Sequence, residues 1–349
     1  MHESRKYLSS DRNICMCSAD SGADAAIAAI HAADGEDALR SGIEQGLLAV
    51  RAAARASAPA IAVAADWSHV LRSGVAAAVR LTPCPPWSWF VSGSVARGEA
   101  VAGSDVETLV VLADDAARDE ALEAAAAVHA VLERCGVRAD ANGVLASRPR
   151  FCRSAGAWSD GIAHWTSDPR EDRGVVMTGV LADSRAVHLA DDSVTEDLLR
   201  AQVVRAAGEH YPARQYLLQD ATTLRATFPS RLRMLANQAD TVDLKLAAID
   251  PLVKMARWAG VSAGSTELST PSRLDAAGAA NVLDADDVST LRECFTALVR
   301  FRWTSRAGGN QVVLSELPPQ DRAMLRGVAR EVGGISRKLT FLASTSAFR

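Results

Sequence analysis

Trp87-Ser88-Trp89-Phe90-Val91-Ser92-Gly93-Ser94-Val95-Ala96-Arg97-Gly98-Glu99, closely followed by Gly103-Ser104-Asp105-Val106-Glu107, is the stretch whose reading decides the fold. An aromatic and β-branched run leading into Gly-Ser predicts a short strand that ends in a turn. Val106 to Leu112 is a second apolar run, and predicts another strand after the loop 95–105. A glycine at that strand end lets the backbone approach phosphate oxygens, because no Cβ intervenes. Ser94 adds a hydroxyl, and amides opening a helix add a positive dipole. Arg97 lies near enough to pair with a triphosphate through two parallel hydrogen bonds. Asp105 and Glu107 are two apart on the predicted strand, so both carboxylates project to one face. Paired oxygen ligands suit Mg²⁺, and two such ions about 3.5–4 Å apart can serve attacking and leaving oxygens. Each element alone is commonplace: Gly-Ser pairs are ordinary turns, and an acidic pair on an edge strand is usually solvated. Their order within one loop carries the functional reading.

Outward from this block the texture changes on both sides. Residues 1–22 are polar and predict a disordered tail. Residues 23–80 are alanine-rich, with Ile27/Ile30, Ile43/Leu47/Val50 and Val70/Val75/Val79 at helical spacings, broken near Gly35 and Pro59. The prolines of Thr82-Pro83-Cys84-Pro85-Pro86 exclude helix. Downstream, the pattern predicts a helix over Ala116–Cys135, a strand from Val137 towards Asp140, a loop-rich stretch holding Trp158 and Trp165, and a strand over Val175–Leu181. Helices are then expected over 195–227, 231–260, 273–280, 286–306 and 320–342. The whole predicts an α+β chain: a mixed sheet with flanking helices at residues 81–192, an N-terminal helical segment at 23–80 and a C-terminal helical bundle at 193–349.

The bulk properties narrow the function. The chain has 349 residues, a formal net charge of −4 and 48% hydrophobic residues. An isoelectric point near 6.0 argues against general nucleic-acid binding, which favours a basic surface. Six cysteines show no Cys-x-x-Cys pair, so neither a zinc site nor a disulfide framework is expected. No signal-like leader or membrane-spanning run is legible, and a cytoplasmic protein without membrane association is the expectation.

The block from Trp87 to Glu107 resembles the GSxxRxE…(S/T)DxD motif of the polymerase-β-type nucleotidyltransferase superfamily. Closest is the family of bacterial nucleotidyltransferases related to protein-PII uridylyltransferase. Val180-Leu181-Ala182-Asp183-Ser184-Arg185 is similar to that family's "FDxR" strand. Val242-Asp243-Leu244-Lys245 through Met255-Ala256-Arg257 resembles its "IDLK…AR" helix, which opens a helical substrate-binding domain. Thr270 to Arg306 and Leu314 to Lys338 resemble the rest of that domain. The resemblance covers about residues 60–345 and implies transfer of a nucleoside monophosphate from an NTP to a protein or small-molecule hydroxyl, with Mg²⁺ or Mn²⁺. Gly93, Ser94, Arg97, Ser104 and Lys245 would bind the nucleotide, and Asp105 and Glu107 the metal. A third carboxylate, Asp140 as general base or Asp183 as metal ligand, would complete the site, though an interior ion pair of Asp183 with Arg185 or with another residue is an equal alternative. Two departures matter. The family usually carries aspartate where this chain has Glu107, and its accompanying sensor module is not legible in residues 1–80. A catalytically degenerate relative, acting as a nucleotide sensor or protein-binding module, is therefore the competing reading.

Other residues admit plainer roles. Lys245 and Asp243 fit a surface ion pair as well as a nucleotide contact. Arg292, Arg300, Arg302 and Arg306 could bind an acidic partner, but their uneven spacing spreads them over several helix faces and favours solvated positions. Trp158 and Trp165 fit packing of a seam between domains, and His129 needs no role beyond filling. Nothing in the sequence specifies the oligomeric state.

Overall fold

The computed structural model describes residues 22–83, 87–114, 118–190, 194–223, 240–305 and 311–346, with side chains to residue 341. The expected tail lies outside these residues, apart from Gly22. Three helices come first: α1 (Gly22–Ala32), α2 (Glu36–Arg55) and α3 (Ala60–Leu81). Their breaks fall at Gly35 and Pro59, as the sequence predicts. The decisive block then folds as β1 (Ser88–Ser92), the single-turn helix α4 (Gly93–Arg97) and β2 (Glu107–Leu112), followed by α5 (Arg118–Arg134).

β3 (Cys152–Ser154) and β4 (Arg185–His188) complete a four-stranded sheet of order β3-β2-β1-β4. β1 runs antiparallel to both β2 and β4, while β3 is parallel to β2, so the sheet is mixed. All of β1 is buried, because each face carries a helical layer. Trp89, Val91, Val110 and Leu112 face one core with α1, α2, α3 and α5. Phe90, Leu109 and Val111 face another core with α6 (Ala155–Ser167), α7 (Gly174–Ala182) and α8 (Leu198–Glu209). Each such large apolar side chain contributes about 1.5–3 kcal/mol on burial. The N-terminal helices thus share a core with the sheet.

A third core joins Ala64 of α3 to the C-terminal helices α9 (Tyr211–Thr223), α10 (Asp250–Ser262), α11 (Thr270–Ala279), α12 (Ala285–Thr304) and α13 (Pro319–Ser346). A small antiparallel pair, β5 (Thr241–Asp243) and β6 (Gln311–Val313), lies at its edge. The architecture is α+β. Among the described residues no helix is long and apolar enough to cross a membrane.

Several local expectations need correction. Val175–Leu181 is helical within α7, not a strand; a short apolar run fits either state, and here Met177, Thr178 and Leu181 are among the buried residues of a helix. Trp158 and Trp165 stand on α6, not in a loop, and Ser154 caps that helix by accepting from the Ala157 amide at 3.2 Å. Both tryptophans are core residues, and Trp158 Nε1 donates to the Val110 carbonyl at 2.9 Å. Residues 137–139 make one parallel bridge, Val106 to Ala139, in place of a strand. The helix expected over 195–227 divides between α8 and α9 at His210, just before Pro212, and its end lies outside the described residues. Residues 231–239 of the next expected helix also lie outside them. Residues 241–249 form β5 and a π-helical turn, Lys245–Ile249, before α10 starts at Asp250-Pro251.

Candidate active site

The site is built where β1 and β2 end. Their register sets Ser92 opposite Glu107. Gly93 follows with φ of 64°, and a Cβ there would lie 2.7 Å from Glu107 Oε1. Glycine alone satisfies both the left-handed backbone and this approach. The bridge at Val106 then brings in a distant segment: Val106 donates to the Arg138 carbonyl at 2.9 Å, and Asp140 donates to the Val106 carbonyl at 3.1 Å. Parallel pairing of Val106 with Ala139 places the next residues, Glu107 and Asp140, side by side on one face.

Asp140 is 4% exposed. Its Oδ2 accepts from the Val144 amide at 2.8 Å and its Oδ1 from Asn142 Nδ2 at 3.2 Å, which fix the carboxylate. Burial, and then the charge of Asp140, push the Glu107 carboxyl up to about 7, against the opposing pull of Arg97. Helix α3 supports the loop between α4 and β2. Trp67 Nε1 donates to the Val101 carbonyl at 3.0 Å, and Ser68 Oγ accepts from the Ala100 amide at 2.9 Å.

All of this opens into a cleft of about 570 Å³ between the sheet end and the C-terminal helices. Gly93, Ser94, Ser104, Asp105, Glu107 and Asp140 line it from the sheet side. Arg97, Asp183 and Lys245 border it too, but the first two are already committed. Ser104 Oγ accepts from the Val101 amide at 2.9 Å, so its hydroxyl braces the loop. Lys245 lies in the π-helical turn, where its charge acts on Asp250.

Asp183 follows the ion-pair alternative, with partners other than Arg185. Its carboxylate is 1% exposed and bound by Arg97 Nη1, by Arg273 Nη1 at 2.6 Å, and by Arg257 Nε at 3.0 Å and Nη2 at 2.5 Å. Burial would raise its pKa, but Arg257, Arg97 and Arg273 together hold it well below the usual carboxylate range. Three guanidinium groups leave no lone pair or favourable field for a cation, so Asp183 is a structural anchor and not a metal ligand. Arg185, the partner weighed in the sequence, pairs instead with Glu196. Arg97 is bound by Asp183 and by Glu99 Oε2 at 2.6 Å. It therefore ties the Gly-Ser turn to the helical half, in place of the triphosphate contact expected of it. Glu99 strengthens the tie by accepting from the Thr270 amide of α11.

Arg302 differs most from its sequence reading. It is not on a solvated face: it borders the cleft, where burial lowers its guanidinium to about 10 against the fields of Asp250, Asp243 and Asp105. No local signal in the sequence marks it. His129 is likewise not mere filling, since its Nε2 lies 2.9 Å from Thr108 Oγ1, which also accepts from the Ala146 amide at 2.9 Å.

A mixed sheet bearing a Gly-Ser turn beside paired acidic residues, backed by a helical half, defines a nucleotidyltransferase-type fold. Residues 47–172 match the family described as "Putative nucleotidyltransferase DUF294", and residues 216–342 match its companion, "Putative nucleotidyltransferase substrate binding domain". The two matches cover more than two thirds of the chain, and the protein belongs to this nucleotidyltransferase family. No curated protein matches it.

Proposed function

We propose that the cleft binds a nucleoside triphosphate with Mg²⁺ or Mn²⁺ and transfers its nucleoside monophosphate to a hydroxyl of a protein or small-molecule acceptor. The observation that carries this reading is the adjacency of Glu107 and Asp140 beside the left-handed Gly93. The donors fit the metal in kind, being hard carboxylate oxygens. Among the described residues no three acidic, histidine or cysteine side chains form a cage. That suits Mg²⁺, which is commonly held by one or two carboxylates, with substrate phosphates and water completing its shell. Glu107 and Asp140 would hold the ion, and Asp105 also lines the cleft. Bound there, it would neutralise phosphate charge and polarise the reacting oxygens.

The chain's own residues account for the rest. The bare backbone at Gly93 and the hydroxyl of Ser94 give phosphate oxygens a place to rest against the sheet end. The acceptor oxygen forms a bond to the α-phosphorus as the bond to pyrophosphate breaks. The hydroxyl proton passes to Asp140 at Oδ1, the oxygen with the weaker of its two hydrogen bonds. Glu107 reaches further than the aspartate usual in the family, and the close approach at Gly93 draws its carboxylate back against the turn.

The test is pyrophosphate release and label transfer from each α-labelled NTP with Mg²⁺ or Mn²⁺ and an acceptor mixture. Transfer that disappears in Asp105→Asn and Glu107→Gln supports the reading. Tight NTP binding with no turnover across the acceptor mixture would refute it in favour of a nucleotide sensor.

A further inference from the structure

Before α7 the backbone does something uncommon. Asp172 and Arg173, neither of them glycine, have φ of 45° and 59° in succession. Each such left-handed residue costs about 1–3 kcal/mol and persists only where its surroundings impose it.

Here the surroundings are explicit. Arg150 Nη1 donates to the Asp172 carbonyl at 2.9 Å, and Arg150 also pairs with the Asp172 carboxylate. Trp165 Nε1 donates to Asp172 Oδ2 at 3.0 Å. Trp165 is itself 1% exposed and carries the Arg153 guanidinium 5.1 Å from its ring centroid. On the far side Gly174 packs so tightly that an added Cβ would meet Pro169 Cα at 2.9 Å. The turn is clamped from both ends, and what it presents to the cleft is the side chain of Arg173.

Four of the cleft's other cations are held by a hydrogen bond or an ion pair. Arg97 and Arg257 are held by Asp183, Lys254 by Asp220 at 2.8 Å, and Arg138 by the Gly103 carbonyl. Lys245 and Arg302 lie in the field of Asp250. Arg173 is exposed, and among the described residues it has neither a hydrogen bond nor an ion pair. A polyanion entering a cleft floored by Asp105, Glu107 and Asp140 needs a cation whose charge is not already spent.

We propose that Arg173 grips the polyphosphate of the incoming nucleotide, and that the clamped turn, through Arg150 and Trp165 as positioning residues, holds it at the cleft mouth. The proposal rests on the nucleotide reading of the cleft and adds to it a residue that selects by phosphate count.

The test is calorimetric binding of the tightest-binding ribonucleoside triphosphate, with its di- and monophosphate, in Mg²⁺ buffer. Arg173→Ala should raise the triphosphate Kd about tenfold, as expected for a lost charge-assisted contact, and narrow the gap between tri- and monophosphate. Arg173→Lys should recover part of the loss. Arg173→Gly should bind as weakly as Arg173→Ala with a Tm at or above wild type, because glycine accepts the left-handed backbone without strain. Arg150→Ala, which keeps Arg173 but frees the turn, should weaken binding about threefold. Triphosphate affinity unchanged in Arg173→Ala and Arg173→Gly would overturn the inference and leave the nucleotide reading standing. No triphosphate binding by the wild-type protein would overturn both.

Discussion

Replacing Asp183 by asparagine should unfold the protein far more readily while leaving no mark specific to metal. The carboxylate is buried and receives Arg97, Arg257 and Arg273 at once. Asparagine keeps one carbonyl oxygen but loses the charge, and turns an NH₂ group towards guanidinium groups that cannot accept from it. Of the three cations, only Arg97 would then keep a carboxylate partner, Glu99. Breaking a buried ion pair by removing one partner costs about 3–5 kcal/mol. For a chain of 349 residues that corresponds to a fall in Tm of roughly 4–7 °C. The ties run from α4 to α10 and α11, so the loss should loosen the helical half from the sheet. Urea denaturation and calorimetry of wild type and Asp183→Asn, with and without Mg²⁺, measure the effect directly. Equal destabilisation in both buffers is expected. An Asp183→Asn protein of wild-type stability that had lost only its response to Mg²⁺ would refute the anchor assignment and return Asp183 to the metal site.

Gly93→Ala should lower Tm by a few degrees, since the left-handed backbone costs about 1–2 kcal/mol for alanine. The new Cβ would also push Glu107 away, so nucleotidyl transfer should fall at least tenfold; unchanged transfer would remove the close approach from the account. Burial pushes the His129 imidazole down to about 4 from its ordinary 6.5, so the unfolded chain takes up a proton that the folded chain refuses. Its contribution is complete above about pH 6.5 and is lost as pH falls towards 4, by at most about 3 kcal/mol. His129→Gln should flatten the stability profile between those limits, and an unaltered slope in urea melts would contradict the burial argument.

How much of this was legible depended on the range of the interaction. β1, β2, α5 and the breaks at Gly35 and Pro59 follow from local periodicity and from proline and glycine, and the structure has them. The Gly93 to Glu107 block was legible because its residues are close in sequence. Asp140 could be nominated, but the bridge through Val106 that sets it beside Glu107 is a pairing that no local pattern encodes. The partners of Asp183 are hidden for the same reason: they stand 86, 74 and 90 residues away, at Arg97, Arg257 and Arg273. Arg302 looked like a surface residue because helical spacing says nothing about what a neighbouring half of the molecule covers. Helix α7 reads as a strand in the sequence because its apolar residues lie on every side and leave no amphipathic signature. Family resemblance bridged part of this gap by linking the block to the C-terminal helices, but it could not report which charges those helices bring to the cleft.

The most direct test of the central claim is the anomalous signal of Mn²⁺ in crystals grown with a nonhydrolysable nucleoside triphosphate. The account predicts a manganese peak shared by Glu107 and Asp140, with phosphates lying over Gly93 and Ser94. Manganese at Asp183, or a nucleotide bound outside the cleft, would contradict it.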